Sequence, residues 1–86
     1  MKIYEGKIKN DKYKYILAID ENGGMNLSRY KEITKERIRY DNVKITECGH
    51  GSRIEYGMKD WASNSSLPFK KYNDGTLDTN FWTELQ

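Results

Sequence analysis

The chain has 86 residues, 36% of them hydrophobic and 33% charged, with a formal net charge of +2. A chain of this length makes one domain, buries only about 60–65% of its unfolded surface and has room for only a small core. Seven Tyr, two Trp and two Phe argue against disorder, and a charge of +2 is too weak for a uniformly basic nucleic-acid-binding domain.

Charge is unevenly placed. Residues 1–40 hold ten Lys/Arg against six Asp/Glu, and residues 41–86 hold five against seven. The basic surface is therefore expected in the amino-terminal half. Cys48 is the sole cysteine, which rules out an internal disulfide. No apolar run reaches the ~18 residues of a membrane span or forms the core of a signal peptide. The expectation is a cytoplasmic protein that does not engage a membrane. Asn26-Leu27-Ser28 and Asn64-Ser65-Ser66 match the glycosylation pattern by chance, since no export signal accompanies them.

From Lys2 to Ile19 apolar and charged residues alternate on both sides of Asn10-Asp11. This reads as a β-hairpin with a two-residue turn, pairing Lys9 with Lys12, Ile8 with Tyr13, Gly6 with Tyr15 and Tyr4 with Leu17. One face then carries Tyr4, Tyr13, Tyr15, Leu17 and Ile19. The other carries Lys7, Lys9, Lys12 and Lys14 near the tip, and Ile3, Ile16 and Ala18 near the open end. Lys9/Lys12 and Lys7/Lys14 place like charges opposite one another, at a cost of a few tenths of a kcal/mol per pair.

Asp20 to Gly24 marks a reversal. Leu27, Tyr30, Ile33 and Ile38 then fall within roughly 140° of one another at helical spacing, with Ser28 placed as an N-cap, so the pattern predicts a helix over 28–39. The competing reading is a strand pair broken near Lys35, favoured by the β propensities of Tyr, Ile and Thr. Val43–Cys48 and Arg53–Tyr56 predict a second hairpin around Gly49–Ser52, extending the first into one antiparallel sheet. Residues 62–67 and Pro68 read as a loop. Asp78 is placed to cap a short terminal helix holding Phe81, Trp82 and Leu85. The expected fold is thus α+β: a single domain with an antiparallel sheet of four to five strands and one principal helix on one face.

No catalytic constellation emerges. Cys48-Gly49-His50 offers a thiol and an imidazole but no orienting third group, and it could recruit only scattered carboxylates such as Glu47 and Asp60 as metal ligands. The acids show no paired spacing, and no phosphate-binding glycine loop is present. The sequence therefore points to a non-enzymatic binding protein without cofactor or metal. Lys7, Lys9, Lys12 and Lys14, with Arg29, Lys31, Lys35, Arg37 and Arg39 on the next element, could line a groove that tracks phosphates, with Tyr residues stacking on bases. The partner would be nucleic acid or a nucleic-acid-binding complex.

The alternative is a protein inhibitor of the phage or mobile-element type, anti-CRISPR-like, blocking a host nuclease or other enzyme by covering its surface. This rests on an analogy of size and composition. Its contact surface would use Trp61, Tyr72 and Trp82, since Trp and Tyr dominate interface hot spots, among the acids Asp74, Asp78 and Glu84.

Overall fold

A computed structural model describes residues 1–8, 10–49, 51–72 and 74–86. The described chain is all-β, with eight strands: β1 (Lys2–Lys7), β2 (Tyr13–Ile19), β3 (Met25–Lys31), β4 (Arg37–Arg39), β5 (Asn42–Cys48), β6 (Gly51–Gly57), β7 (Ser65–Lys70) and β8 (Trp82–Glu84). They form two antiparallel sheets, one of five strands in the order β4-β3-β2-β1-β8 and one of three in the order β5-β6-β7.

The first hairpin has the register its alternation predicts, with Gly6 opposite Tyr15, Tyr4 opposite Leu17 and Lys7 opposite Lys14. The ladder ends there rather than at Ile8 and Tyr13. The Asp11 amide closes on the Ile8 carbonyl at 3.0 Å, Asn10 takes a φ of 69°, and Asp11 Oδ1 accepts the Tyr13 amide at 3.1 Å. The expected Lys9/Lys12 pair includes Lys9, which lies outside the described residues.

The helix expected over 28–39, and with it the α+β class, is overturned. Those residues form β3 and β4, which pair Ser28 with Arg39 and Tyr30 with Arg37 around a reversal where Lys35 has a φ of 63°. The helical arc was coincidental: Ile33, one of its four members, is 80% exposed in the turn. Ser28 sits mid-strand opposite Ile16, where no helix begins. Pairing with β2 gave the β-branched and aromatic residues of this segment a pleated surface to fit, and that outweighed the helical spacing.

The second hairpin forms as β5 and β6 but does not extend the first sheet. It builds a sheet of its own with β7. The chain changes sheets at Tyr40-Asp41, where the Tyr40 amide bonds the Leu27 carbonyl and the Asp41 amide the Gly57 carbonyl, both at 3.0 Å. Pro68, expected in a loop, lies in β7 opposite Arg53. An edge strand accepts it because one side needs no donor.

The predicted terminal helix is a single turn. Asp78 caps it, its carbonyl accepting the Phe81 and Trp82 amides at 3.1 and 2.8 Å, and then β8 begins. Pairing of Trp82 with Gly6 on β1 draws the chain into the five-stranded sheet.

The sheets enclose Leu17, Leu27, Tyr40, Ile54, Tyr56, Leu67, Phe69 and Trp82. Trp82 is fully buried against Phe81, Phe69 and Tyr4, with ring centroids 4.8, 6.3 and 6.5 Å away, and its indole N–H donates to the Pro68 carbonyl across the sheets. Gly6 makes this approach possible, because a β-carbon there would lie 2.3 Å from a Phe81 ring carbon.

Candidate functional site

Facing away from the core, the five-stranded sheet presents Lys7, Lys14, Ile16, Ala18, Ser28 and Tyr30, the set that strand alternation places opposite Leu17 and Leu27. Lys7 and Lys14 lie directly across from each other. Their repulsion is answered within the sheet. Lys14 Nζ sits 2.6 Å from a Glu5 carboxylate oxygen and 3.8 Å from Glu32, while Lys7 Nζ sits 3.1 Å from the same Glu32 oxygen. Hydrogen bonding to Glu5, and then to Tyr30, raises the Lys14 pKa well above the usual lysine range. The Lys7 hydrogen bond, with the Lys7 and Lys14 charges, lowers that of Glu32. Of the remaining tip lysines, Lys12 is exposed and Lys9 lies outside the described residues.

The arginines divide between the two faces. Arg29 pairs with Tyr15 on the core side, its guanidinium carbon 4.4 Å from the Tyr13 ring centroid, so it does not join the lysines. Arg37 and Arg39 stand on the outward side of β4, an edge strand, opposite Tyr30 and Ser28. Arg39 donates to Asn26 Oδ1 at 2.9 Å. Among the described residues, neither arginine has a carboxylate partner, and Lys35 in the preceding turn has none within ion-pair distance, although its charge acts on Glu32 from farther off.

These groups edge a trough. One part, about 400 Å³, is lined by Ile16, Tyr30, Lys35 and Arg37. It continues through the shared Ile16 and Arg37 into a second part of about 240 Å³, floored by Ala18 and Ser28 and closed by Arg39. Ile16, Ala18 and the Tyr30 ring make most of the floor apolar, Ser28 adds a polar side chain to it, and one wall is cationic. Lys14 Nζ lies 5.1 Å from the Tyr30 centroid and steadies that ring. Of the sequence candidates, the structure brings Arg37 and Arg39 together here and leaves Lys7 and Lys14 in an ion network beside them. Tyr30 and Ile16 were not singled out by the sequence, although the hairpin register already put Ile16 on this face.

The carboxy-terminal candidates do not form one patch. Trp82 is fully buried and offers no surface to a partner. Trp61 is 43% exposed beside Tyr40, with centroids 5.8 Å apart, in the loop that follows β6. Tyr72 is exposed at the other end of the small sheet, packed on Gly49. Cys48 is exposed, and His50 lies outside the described residues, so their pairing does too. Among the described residues, no three His, Cys, Asp or Glu gather as metal ligands, and no helix is long and apolar enough to cross a membrane. Comparison with known proteins finds no matching family model, no matching curated relative and no matching solved structure.

Proposed function

We propose that the protein is a non-enzymatic nucleic-acid-binding module that uses the outward face of β2, β3 and β4. The observation that carries the reading is the trough itself, with Tyr30 and Ile16 as an apolar floor and Lys35, Arg37 and Arg39 along one wall with no carboxylate within ion-pair distance among the described residues. Single strands are held by this combination, bases stacking on an aromatic platform while cations follow the phosphates. The tip lysines are secondary in this reading, because Glu5 and Glu32 already engage Lys7 and Lys14.

Fluorescence anisotropy with a labelled single strand at two salt concentrations tests it. Binding is expected to weaken with salt, and Arg37→Gln with Arg39→Gln should flatten the dependence of log K on log salt by roughly one unit per lost phosphate contact. No binding at low salt overturns the proposal. The inhibitor reading would then lead, supported by the exposed ring of Trp61 and tested by pull-down with a Trp61→Ala control.

A further inference from the structure

The four sheet edges end in different ways. β4 and β8 close the larger sheet with three residues each. β7 carries Pro68, and its register with β6 shifts between Ser52 and Arg53. A further segment borders its free side: Lys70 bridges Leu77, the Lys71 amide donates to the Thr76 carbonyl at 2.7 Å, and the Asp78 amide donates to the Phe69 carbonyl at 2.8 Å. β5 has none of these devices. Its seven residues pair one for one with β6 from Asn42 to Cys48, it contains neither Pro nor Gly, and no described strand borders its other side. Its one lysine, Lys44, is already answered by Glu55 at 3.7 Å. Short strands, prolines and bulges keep sheet edges from pairing with another chain, so β5 is the edge left open to it.

The free side of β5 looks onto an uncovered shelf. Trp82 of β8 bonds Pro68 of β7, and β5 packs nearest to β3. The smaller sheet therefore stops one strand short of β4. Alternation aims Ile38 of β4 inward beside Arg29, its partner on β3, yet Ile38 is 39% exposed. Ile45, inward on β5 opposite Ile54, is 37% exposed. A strand added beside β5 would cover both. Arg29 gives the shelf a charge. The Tyr13 ring and the Tyr15 hydroxyl flank it, and no carboxylate lies within ion-pair distance among the described residues. Its Nε is shut off from solvent without a hydrogen-bond partner among those residues.

We propose that the added strand is β5 of a second copy of this chain, paired antiparallel about a two-fold axis through Ile45. Such an axis keeps inward residues inward, and of the registers that do so, the one centred on Ile45 pairs all seven residues. Ile45 then faces the partner's Ile45, Lys44 the partner's Thr46, Asn42 the partner's Cys48 and Val43 the partner's Glu47. No like charges are opposed, whereas an axis through Lys44 would set that lysine against itself. Glu47 argues for a second copy rather than an unrelated strand. It lies on the inward face by alternation and forms no ion pair within its own chain among the described residues. In the dimer it stands beside Val43, whose neighbour Tyr56 lies within reach of the Arg29 charge. Each copy thus brings a carboxylate to the shelf on which the other holds a cation without one. The trough lies on the opposite face of the larger sheet, so either inference can fail without the other.

The test is sedimentation equilibrium of the full chain from micromolar to millimolar concentration, joined to disulfide trapping. A monomer–dimer equilibrium is expected. Ile45→Lys, which sets two like charges on the axis, should leave only monomer, with urea unfolding read alongside to show that the variant folds. Glu47→Gln, at an exposed position, should weaken the dimer by about three- to tenfold without moving the unfolding midpoint of the monomer. Under mild oxidation Asn42→Cys should link to the partner's Cys48, because residues directly opposite in an antiparallel pair hold their Cα atoms about 4.5–5.5 Å apart, within disulfide reach. Asn42→Cys combined with Cys48→Ser should not link, since position 42 lies about 20 Å from its own copy. A chain that stays monomeric throughout overturns the proposal, as does a dimer that survives Ile45→Lys. Failure of Asn42→Cys to link faster than the double variant overturns it too, and an undiminished dimer in Glu47→Gln overturns the pairing with Arg29.

Discussion

The two ends of one sheet face carry similar numbers of cations and differ in what those cations can do. Near the hairpin tip, Lys7 and Lys14 are threaded between Glu5 and Glu32 in a chain of contacts from 2.6 to 3.8 Å. At the β4 edge, Arg37 has no ion-pair partner among the described residues and Arg39 leans on a neutral amide. A ligand phosphate arriving at the tip must compete with carboxylates already in place, whereas at the edge it competes with no carboxylate among the described residues and, at Arg39, only with a neutral amide. Counting cations along a strand therefore misjudges a binding face unless the acids that reach it from other elements are counted too.

The sharpest control touches neither end. Trp82→Ala, which empties a fully buried site between the sheets, should cost about 3–5 kcal/mol in urea unfolding, and any loss of binding should follow the unfolded fraction alone. Next in size is the Arg37→Gln, Arg39→Gln double variant. It should reduce single-strand affinity more than about tenfold at low salt and remove about two units of salt slope, with no loss of thermal midpoint. An equal effect from Lys7→Gln would break the contrast between the ends.

Lys14→Gln should act mainly on stability, by about 0.5–1 kcal/mol, because it leaves Glu5 without its partner. Glu32→Gln is the smallest and most discriminating change. It releases Lys7, so affinity for a single strand should rise slightly. Glu32 has a lowered pKa in the fold, so its stabilising contribution is present above the unfolded value of about 4.3 and is lost as pH falls through the lower folded one. The difference in thermal midpoint between wild type and Glu32→Gln should therefore shrink as pH is lowered from 7 towards 3.

The first hairpin was legible because strict alternation on both sides of Asn10-Asp11 permits one register, and a slip would turn Leu17 outward. β3 and β4 were not, because Leu27, Tyr30, Ile33 and Ile38 fall on one helical arc although the sheet puts Leu27 and Tyr30 on opposite faces, and only pairing with β2 decides between the readings. That the hairpins belong to separate sheets was hidden for the same reason: the corner at Tyr40-Asp41 depends on bonds to Leu27 and Gly57, partners that no local pattern reveals. On the candidate face, the outward placement of Ile16 and Lys14 followed from alternation. The neutralising role of Glu32 did not, since it is delivered by the β3–β4 turn, a segment that reads as helix in isolation.

The pairing of Gly6 with Trp82 has a consequence for biosynthesis. β1 is synthesised long before its second neighbour, residues 82–84, so one of its edges stands open while the intervening residues are translated. Contacts so far apart in sequence are slow to close, and an unpaired strand edge is where nascent chains on one messenger can pair with each other. A stalled or truncated chain lacking β8 would lose the Trp82 indole bond to Pro68 at the same stroke, leaving both sheets formed in outline but unclasped.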